Sequence, residues 1–170
     1  MSDLGTCEDR GDHVVLHYRR RLAHPIDRVW AALTEPERLL QWWGDVDVEE
    51  LAPGSRYKVS WLNEHEGERA VMDATITEIR APELLEISGD PHGTLRFELR
   101  ADGDATELSL RCTSAIPPEQ RTSVRAGWHF HLDALEAMLD GRSLDIVHPE
   151  PAWEPIHERY VAETAGSAVQ

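Results

Sequence analysis

A long run of strand pattern followed by one amphipathic helix leaves few folds open to this chain. For about 70 residues after Gly44, apolar and polar side chains alternate in short runs, separated by turn-forming residues roughly every 8–12 positions. This spacing is typical of an antiparallel meander, because parallel strands need longer crossover connections. The predicted strands are Asp45–Glu50, Arg56–Leu62, Arg69–Arg80, Leu84–Ser88, Thr94–Ala101 and Thr106–Ala115.

The alternation predicts one apolar face for the sheet and one wet face. The apolar face comprises Tyr57, Val59, Trp61, Met72, Ala74, Ile76, Leu95, Phe97, Leu99, Leu108, Leu110 and Cys112. Residues 119–141 then follow a helical period, and their apolar stripe consists of Val124, Trp128, Leu132, Leu135 and Leu139. Because this helix has one apolar stripe, it needs one sheet face to bury it. The pattern therefore predicts a curved antiparallel sheet that grips a long C-terminal helix, in an α+β arrangement.

The chain before the meander contributes a first strand and two short helices. Residues 1–12 are polar and aperiodic, so we expect a flexible N-terminus. Alternation begins at His13 and predicts the first strand. Residues 24–44 then predict two short helices, since Pro36 restarts the chain and Gly44 ends the second helix.

The chain after the long helix forms an extension. A proline-containing linker leads into residues 151–165, whose apolar spacing predicts a short helix that packs back on the body. The predicted organisation is a flexible segment 1–12, a domain over 13–141 and an extension over 142–170. Whether that extension caps the interior stays open at this level.

Charge and composition exclude several classes of function. The 32 acidic residues outnumber the 17 basic ones and give a net charge of −15, which would repel a nucleic-acid backbone or an anionic membrane surface. No apolar stretch approaches the roughly 20 residues of a membrane span, and the first residues lack the pattern of a signal peptide. We therefore predict a cytoplasmic protein. Cys7 and Cys112 have no CxxC spacing and are interpreted as free thiols.

Four sequence blocks carry a family resemblance. The run HPIDRVWAALTEPERLLQWWG is followed by PGSRY, by ITEIRAPELLEIS and by AGWHFHLDALEAMLDG. In this order the blocks resemble activator of Hsp90 ATPase homologue 1-like (AHSA1-like) domains of the START/SRPBCC superfamily, over about residues 13–141. The resemblance implies the helix-grip (START/Bet v 1-like) fold, with an apolar cavity between the sheet and the long helix.

The resemblance does not define an activity, because the superfamily includes lipid carriers, hormone receptors, polyketide cyclases and a co-chaperone module. The eukaryotic co-chaperone also has a separate N-terminal Hsp90-binding domain. The 12 residues before the first strand leave no room for such a domain. Hsp90 is therefore not an expected partner.

The wall of the implied cavity should come from the inward phase of the sheet and the stripe of the long helix. The predicted ligand-binding residues are Trp43, Tyr57, Trp61, Met72, Phe97, Trp128, His131 and Leu135. The alternative for each is that it simply fills the core. Trp42 and Trp43 lie about 100° apart on a helix, so we expect Trp43 to line the cavity and Trp42 to pack elsewhere.

His131 is the one candidate for a catalytic group. A histidine beside the apolar stripe could orient a ligand or move a proton, and Tyr57 is the one residue with which it could form an acid/base pair. His129 and His131 lie about 200° apart on a helix and cannot chelate one ion, so no metal site is predicted. No GxSxG, P-loop, GxGxxG or HExxH motif is present, and no cofactor is expected.

Two charged features remain open. The acidic clusters around residues 35–37, 45–50 and 64–68 are either solvated faces or a docking surface for a basic partner. In the run Arg19-Arg20-Arg21, alternation turns Arg20 to the side opposite its neighbours. Arg20 could form an internal salt bridge or meet a ligand carboxylate.

These observations favour non-catalytic binding of a small hydrophobic or aromatic molecule, or a lipid, between the sheet and the long helix. One alternative is a cyclase- or lyase-like enzyme that uses the same cavity with His131 as a proton shuttle. The other is a protein-interaction module in chaperone or stress biology, with a homodimer as one form, that uses the acidic face or residues 151–165.

Overall fold

The computed structural model describes residues 2–167 and is organised around one eight-stranded antiparallel sheet. The strands are β1 (Thr6–Asp9), β2 (Val14–Leu22), β3 (Gly44–Val48), β4 (Arg56–His65), β5 (Glu68–Arg80), β6 (Leu84–Asp90), β7 (Gly93–Asp102) and β8 (Ala105–Ser114). Their order across the sheet is β1-β2-β8-β7-β6-β5-β4-β3. The meander from β3 to β8 therefore pairs each strand with the next, and β8 closes onto β2.

The predicted faces of the sheet are confirmed. Every inward residue predicted for the meander is buried. On the opposite face Arg96 forms ion pairs with Glu78, Glu86 and Glu98 at 2.8–2.9 Å, as expected for a surface that remains in water.

Two short helices follow β2, as predicted. They are α1 (Ile26–Thr34) and α2 (Pro36–Leu39), with Pro36 in the first turn of α2, where its missing N–H costs nothing. Trp42, just after α2, donates its indole N–H to Ala32 O of α1 at 2.9 Å. This bond holds the two helices together at the entrance to β3.

Two longer helices complete the molecule. The long helix α3 (Arg121–Leu139) buries most of its residues against the concave face of the sheet, which confirms the helix-grip arrangement. The extension forms an 18-residue helix, α4 (Glu150–Ser167), which packs on α3 through the buried Ile156 and Tyr160. Within residues 2–167, no helix is long and apolar enough to cross a membrane.

The N-terminal segment differs from the prediction, because residues 2–9 are held in place rather than loose. Strand β1 pairs with β2, from Thr6 opposite His17 to Asp9 opposite Val14. Gly5 N–H donates to the hydroxyl of Tyr160 in α4, and Gly5 O accepts from Arg125 in α3, both at 2.7 Å. The polar composition gave no sign of this order, because the contacts of Gly5 that hold the segment on α3 and α4 come from residues more than 100 positions away.

The turn between β6 and β7 gives a first prediction. An added Cβ at Gly93 would lie 2.1 Å from Thr113 O of β8, whereas one at Gly103 would meet no atom within 4 Å; both glycines have positive φ, +74° and +60°. Gly93→Ala should therefore lower the free energy of unfolding by about 1–3 kcal/mol more than Gly103→Ala, because only Gly93 adds a clash to the backbone strain. Urea denaturation would measure the difference. Equal losses in the two variants would contradict the prediction.

Candidate functional site

A cavity of about 470 Å³ lies between one end of the sheet, the N-terminal half of α3 and the start of α4. Its size falls within the range of small-molecule sites. It is lined by Trp61, Asn63, His65, Ala70, His92, Val124, Gly127, Trp128, Phe130, His131, Ile146, Pro149, Glu150 and Trp153. Aromatic and aliphatic groups make up most of this wall. Within the described residues, Glu150 is its one carboxylate.

Three of the eight predicted ligand-binding residues lie on this wall, namely Trp61, Trp128 and His131. The other five are buried in the core and do not line the cavity; they are Trp43, Tyr57, Met72, Phe97 and Leu135. The cavity therefore lies nearer to the β4–β5 and β6–β7 turns than the inward-facing residues of the strands predicted.

The packing around Trp43 explains this displacement. Its ring lies 5.5–6.1 Å from the rings of Tyr57, Trp61, Phe97 and Trp128, centroid to centroid. These aromatic groups fill the space that the prediction assigned to a ligand. The indole N–H of Trp43 is buried without a hydrogen-bond partner within the described structure.

His131 is fixed as a neutral imidazole by its two neighbours. Its Nδ1 lies 2.9 Å from Trp42 O, and since a carbonyl only accepts, Nδ1 carries the proton. Nε2 then accepts from the indole N–H of Trp61 at 3.1 Å. Burial lowers the pKa of His131 from 6.5 to about 4, although the bond to Trp42 O opposes that shift. His131 thus orients Trp61 on the cavity wall and has no free nitrogen.

Tyr57 does not join His131 in an acid/base pair. The Tyr57 hydroxyl donates to Leu33 O at 3.3 Å, and burial raises the pKa of this phenol far above its usual value. His131 and Tyr57, the acid/base pair that the sequence suggested, are therefore each hydrogen-bonded to other residues.

His92 is a wall residue that the sequence analysis missed. It sits in the turn between β6 and β7, with its ring centroid 4.6 Å from that of Trp61. Burial lowers the pKa of His92, and its Nε2 has no hydrogen-bond partner within residues 2–167. His92 therefore adds a neutral ring beside an aromatic face of the wall, with its Nε2 buried. Its position in a GDPHG turn gave no indication of this role.

The extension supplies the outer wall of the cavity through Ile146, Pro149, Glu150 and Trp153. The helical spacing of Trp153 predicted that this segment packs back, but not which surface it covers. The start of α4 therefore covers the cavity between the sheet and α3.

His129 lies on the opposite side of α3 from His131. It is buried, with Nδ1 3.0 Å from the Tyr160 hydroxyl and Nε2 2.7 Å from Ser2 Oγ. In the described part of the chain, no group of three or more His, Cys, Asp or Glu side chains is placed to hold a metal ion.

The sheet, the gripped helix and the cavity at their open end define an α+β protein of the helix-grip type. The family model described as activator of Hsp90 ATPase homolog 1-like protein matches residues 23–140, and the chain belongs to this family. No curated protein matches the chain significantly.

Solved structures share the fold at low sequence identity. CalU16 from Micromonospora echinospora is 22% identical, with a TM-score of 0.69, and the match covers 93% of this chain and 95% of that chain. The conserved protein of unknown function EF2215 from Enterococcus faecalis is 17% identical, with a TM-score of 0.71 and coverage of 95% and 91%. DynU16, described as a protein of the dynemicin biosynthetic locus, is 20% identical with a TM-score of 0.63; the match covers 76% of this chain and 48% of DynU16.

Proposed function

We propose that this protein binds a small, largely planar apolar molecule in the cavity under α4 without transforming it. The observation that carries the proposal is the composition of the wall, where Trp61, Trp128, Phe130 and Trp153 surround a cavity of about 470 Å³. Aromatic rings favour flat apolar ligands through burial of area and ring stacking. Helix-grip proteins commonly bind hydrophobic ligands, which supports the same assignment.

The chemistry of the wall favours binding over catalysis. Acid/base catalysis needs a group that can gain or lose a proton at the substrate. Both nitrogens of His131 are occupied, and Glu150 has no second carboxylate beside it on the wall within the described residues, so the other titratable groups there are the imidazoles of His65 and His92.

A larger side chain at Gly127 would fill the cavity and leave every other side chain of its wall in place. It lies in α3 on the cavity surface, and an added Cβ would meet no atom within 4 Å. Gly127→Leu should fill the cavity while stabilising the helix by a few tenths of a kcal/mol to about 1 kcal/mol. Gly166→Leu is the matched control, because Gly166 is also helical, has equal space for a Cβ and lies outside the cavity.

The test uses N-phenyl-1-naphthylamine, an uncharged aromatic probe whose fluorescence rises in apolar surroundings. We expect saturable binding to the wild-type protein and to Gly166→Leu. In Gly127→Leu the affinity should fall by at least about tenfold, since a loss of 1.4 kcal/mol has that effect. Equal affinity in the two glycine variants, with both folded, would rule out this cavity as the site. Native mass spectrometry of the purified protein, compared with a denatured sample, would identify a natural ligand.

A further inference from the structure

The wall of the cavity under α4 carries one carboxylate and no strongly basic side chain. The carboxylate belongs to Glu150, the first residue of α4, and no lysine or arginine of the described chain lies on the wall. Burial lowers the pKa values of His92 and His131, so these two imidazoles stay neutral near pH 7. The wall therefore offers a ligand one negative charge, with no lysine or arginine to oppose it.

The carboxylate of Glu150 is exposed to solvent and forms no hydrogen bond or ion pair with any described residue. Other carboxylates of the same region are engaged. Asp145 lies 3.2 Å from His148, and Glu163 of α4 lies 2.6 Å from Arg125. A cation can therefore approach Glu150 without displacing a side chain of the protein.

The chain around the cavity is strongly acidic. Residues 63–70, 90–93 and 145–154 each contribute to the wall, and together they contain seven carboxylates and one arginine. The carboxylates are those of Glu64, Glu66, Glu68, Asp90, Asp145, Glu150 and Glu154. The arginine, Arg69, is 3.5 Å from Glu64, and both arginines of α3 are also paired with carboxylates. This excess of negative charge attracts cations to the cavity and repels anions.

The aromatic rings of the wall have no protein cation against them. Among residues 2–167, the one cation–π contact places Arg125 4.4 Å from the ring centroid of Tyr160, and neither residue lines this cavity. Trp61, Trp128 and Trp153 supply three indoles to the wall. Indole attracts organic cations more strongly than the other aromatic side chains do, especially where the contact excludes water. These rings can therefore bind a cation as well as an apolar surface.

We infer, on the basis of the proposed function, that the ligand of this cavity is an organic cation, a protonated amine attached to a planar aromatic ring system. Its ring system lies against the indoles of Trp61, Trp128 and Trp153, and its charged nitrogen lies towards Glu150. A ligand of the same shape with a carboxylate in place of the amine would meet Glu150 with like charge and should be rejected.

The test compares three compounds that share a naphthalene ring and differ in the charge of the head group. They are 1-naphthylmethylammonium, which is positive, 1-naphthylmethanol, which is neutral, and 1-naphthylacetate, which is negative. Isothermal titration calorimetry at pH 7 and about 0.15 M salt measures their affinities, because charges more than about 8 Å apart are largely screened there. The ammonium should bind about tenfold more tightly than the alcohol, and the acetate should bind most weakly.

A substitution of Glu150 tests where the charge of the ligand lies. Glu150→Gln should weaken binding of the ammonium about threefold to fivefold, the range for an exposed ion pair, and leave binding of the alcohol unchanged. Glu158→Gln is the matched control with the same change of charge. Glu158 is exposed on the same helix, about 12 Å further along it, and does not line the cavity.

Failure of this inference and failure of the proposed function give different results. If the alcohol or the acetate binds as tightly as the ammonium, the ligand is not selected for positive charge, but the proposed function stands. Equal ammonium affinity in Glu150→Gln and Glu158→Gln would likewise overturn the inference alone. If none of the three compounds binds, or if Gly127→Leu binds them as tightly as Gly166→Leu does, the cavity is not the site and both proposals fail.

Discussion

Between pH 7 and pH 5, titration of His131 should lower the free energy of unfolding by about 2 kcal/mol, given its pKa of about 4 in the folded protein. In the unfolded chain this histidine takes up a proton near pH 6.5, whereas the folded protein keeps it neutral until about pH 4. The unfolded state therefore binds more protons in this window, and stability falls as the pH falls. Above pH 6.5 the folded protein has the full stabilisation that comes from the lowered pKa of His131. At pH 4 it has lost about 3 kcal/mol of that stabilisation, at 1.36 kcal/mol per pKa unit.

The measurement is urea denaturation at several pH values between 4.5 and 7.5 for wild type and His131→Gln. A glutamine can still donate to Trp42 O and accept from Trp61, but it does not titrate in this range. The burial of His17 and His92 also lowers their pKa values and adds to the wild-type slope, so the difference between the two proteins isolates His131. Identical slopes would mean that His131 is not held neutral. His148→Gln serves as the control, because His148 is exposed.

The low pKa of His131 also indicates which role this residue has in the cavity. A histidine that stays neutral to about pH 4 and whose nitrogens bond to Trp42 and Trp61 positions an indole ring rather than a proton. Loss of the Trp61 bond at low pH would then loosen the aromatic wall. Probe affinity should therefore stay constant between pH 7 and pH 5, where the folded protein keeps His131 neutral, and decline only near pH 4, and the His131→Gln variant should suppress that decline.

The sheet and the long helix could be predicted because the residue patterns that specify them lie within short stretches of the chain. The alternation of apolar and polar residues in β4 and β7 indicates which face of each strand must be buried. The apolar stripe of α3 does the same for the helix. Turn residues at the ends of the strands then limit the order of the meander. These patterns required no knowledge of distant contacts, and the faces they predicted are those observed.

The site was only partly predictable, because alternation shows which side chains point inward but not whether the inside is filled. Phe97 and Leu135 point inward and are close-packed, whereas Trp61 and Trp128 point inward at the end where packing stops. That boundary depends on where α4 lies. Its position in turn depends on contacts between segments more than 100 residues apart, such as Gly5 with Tyr160, which no local pattern contains.

Tyr160 anchors α4 to the rest of the molecule. It is fully buried, its ring lies 4.4 Å from the guanidinium carbon of Arg125, and its hydroxyl accepts from Gly5 N–H. The same hydroxyl donates to Nδ1 of His129 at 3.0 Å. One side chain therefore joins α4, α3 and the N-terminal segment.

Tyr160→Ala should lower the free energy of unfolding by about 3–5 kcal/mol, the usual cost of removing a buried aromatic ring. Tyr160→Phe should cost about 1–3 kcal/mol, because it leaves Gly5 N–H and His129 without their partner but keeps the packing. Val161→Ala is the control; Val161 is 48% exposed, and its loss should stay within about 0.5 kcal/mol. Urea denaturation gives the three values, and a Tyr160→Ala loss no larger than that of Val161→Ala would contradict the assignment.

Hydrogen exchange can separate local from global effects in the same variants. If Tyr160 joins the two terminal segments, Tyr160→Ala should reduce amide protection in β1 and in α4 together, while β7 and β8 stay protected. Independent loss in one segment alone would mean that they are not coupled. Because α4 also carries Trp153 on the cavity wall, coupled loss should speed release of the naphthylamine probe. Release that stays slow while α4 is unprotected would show that the sheet and α3 hold the ligand without this helix.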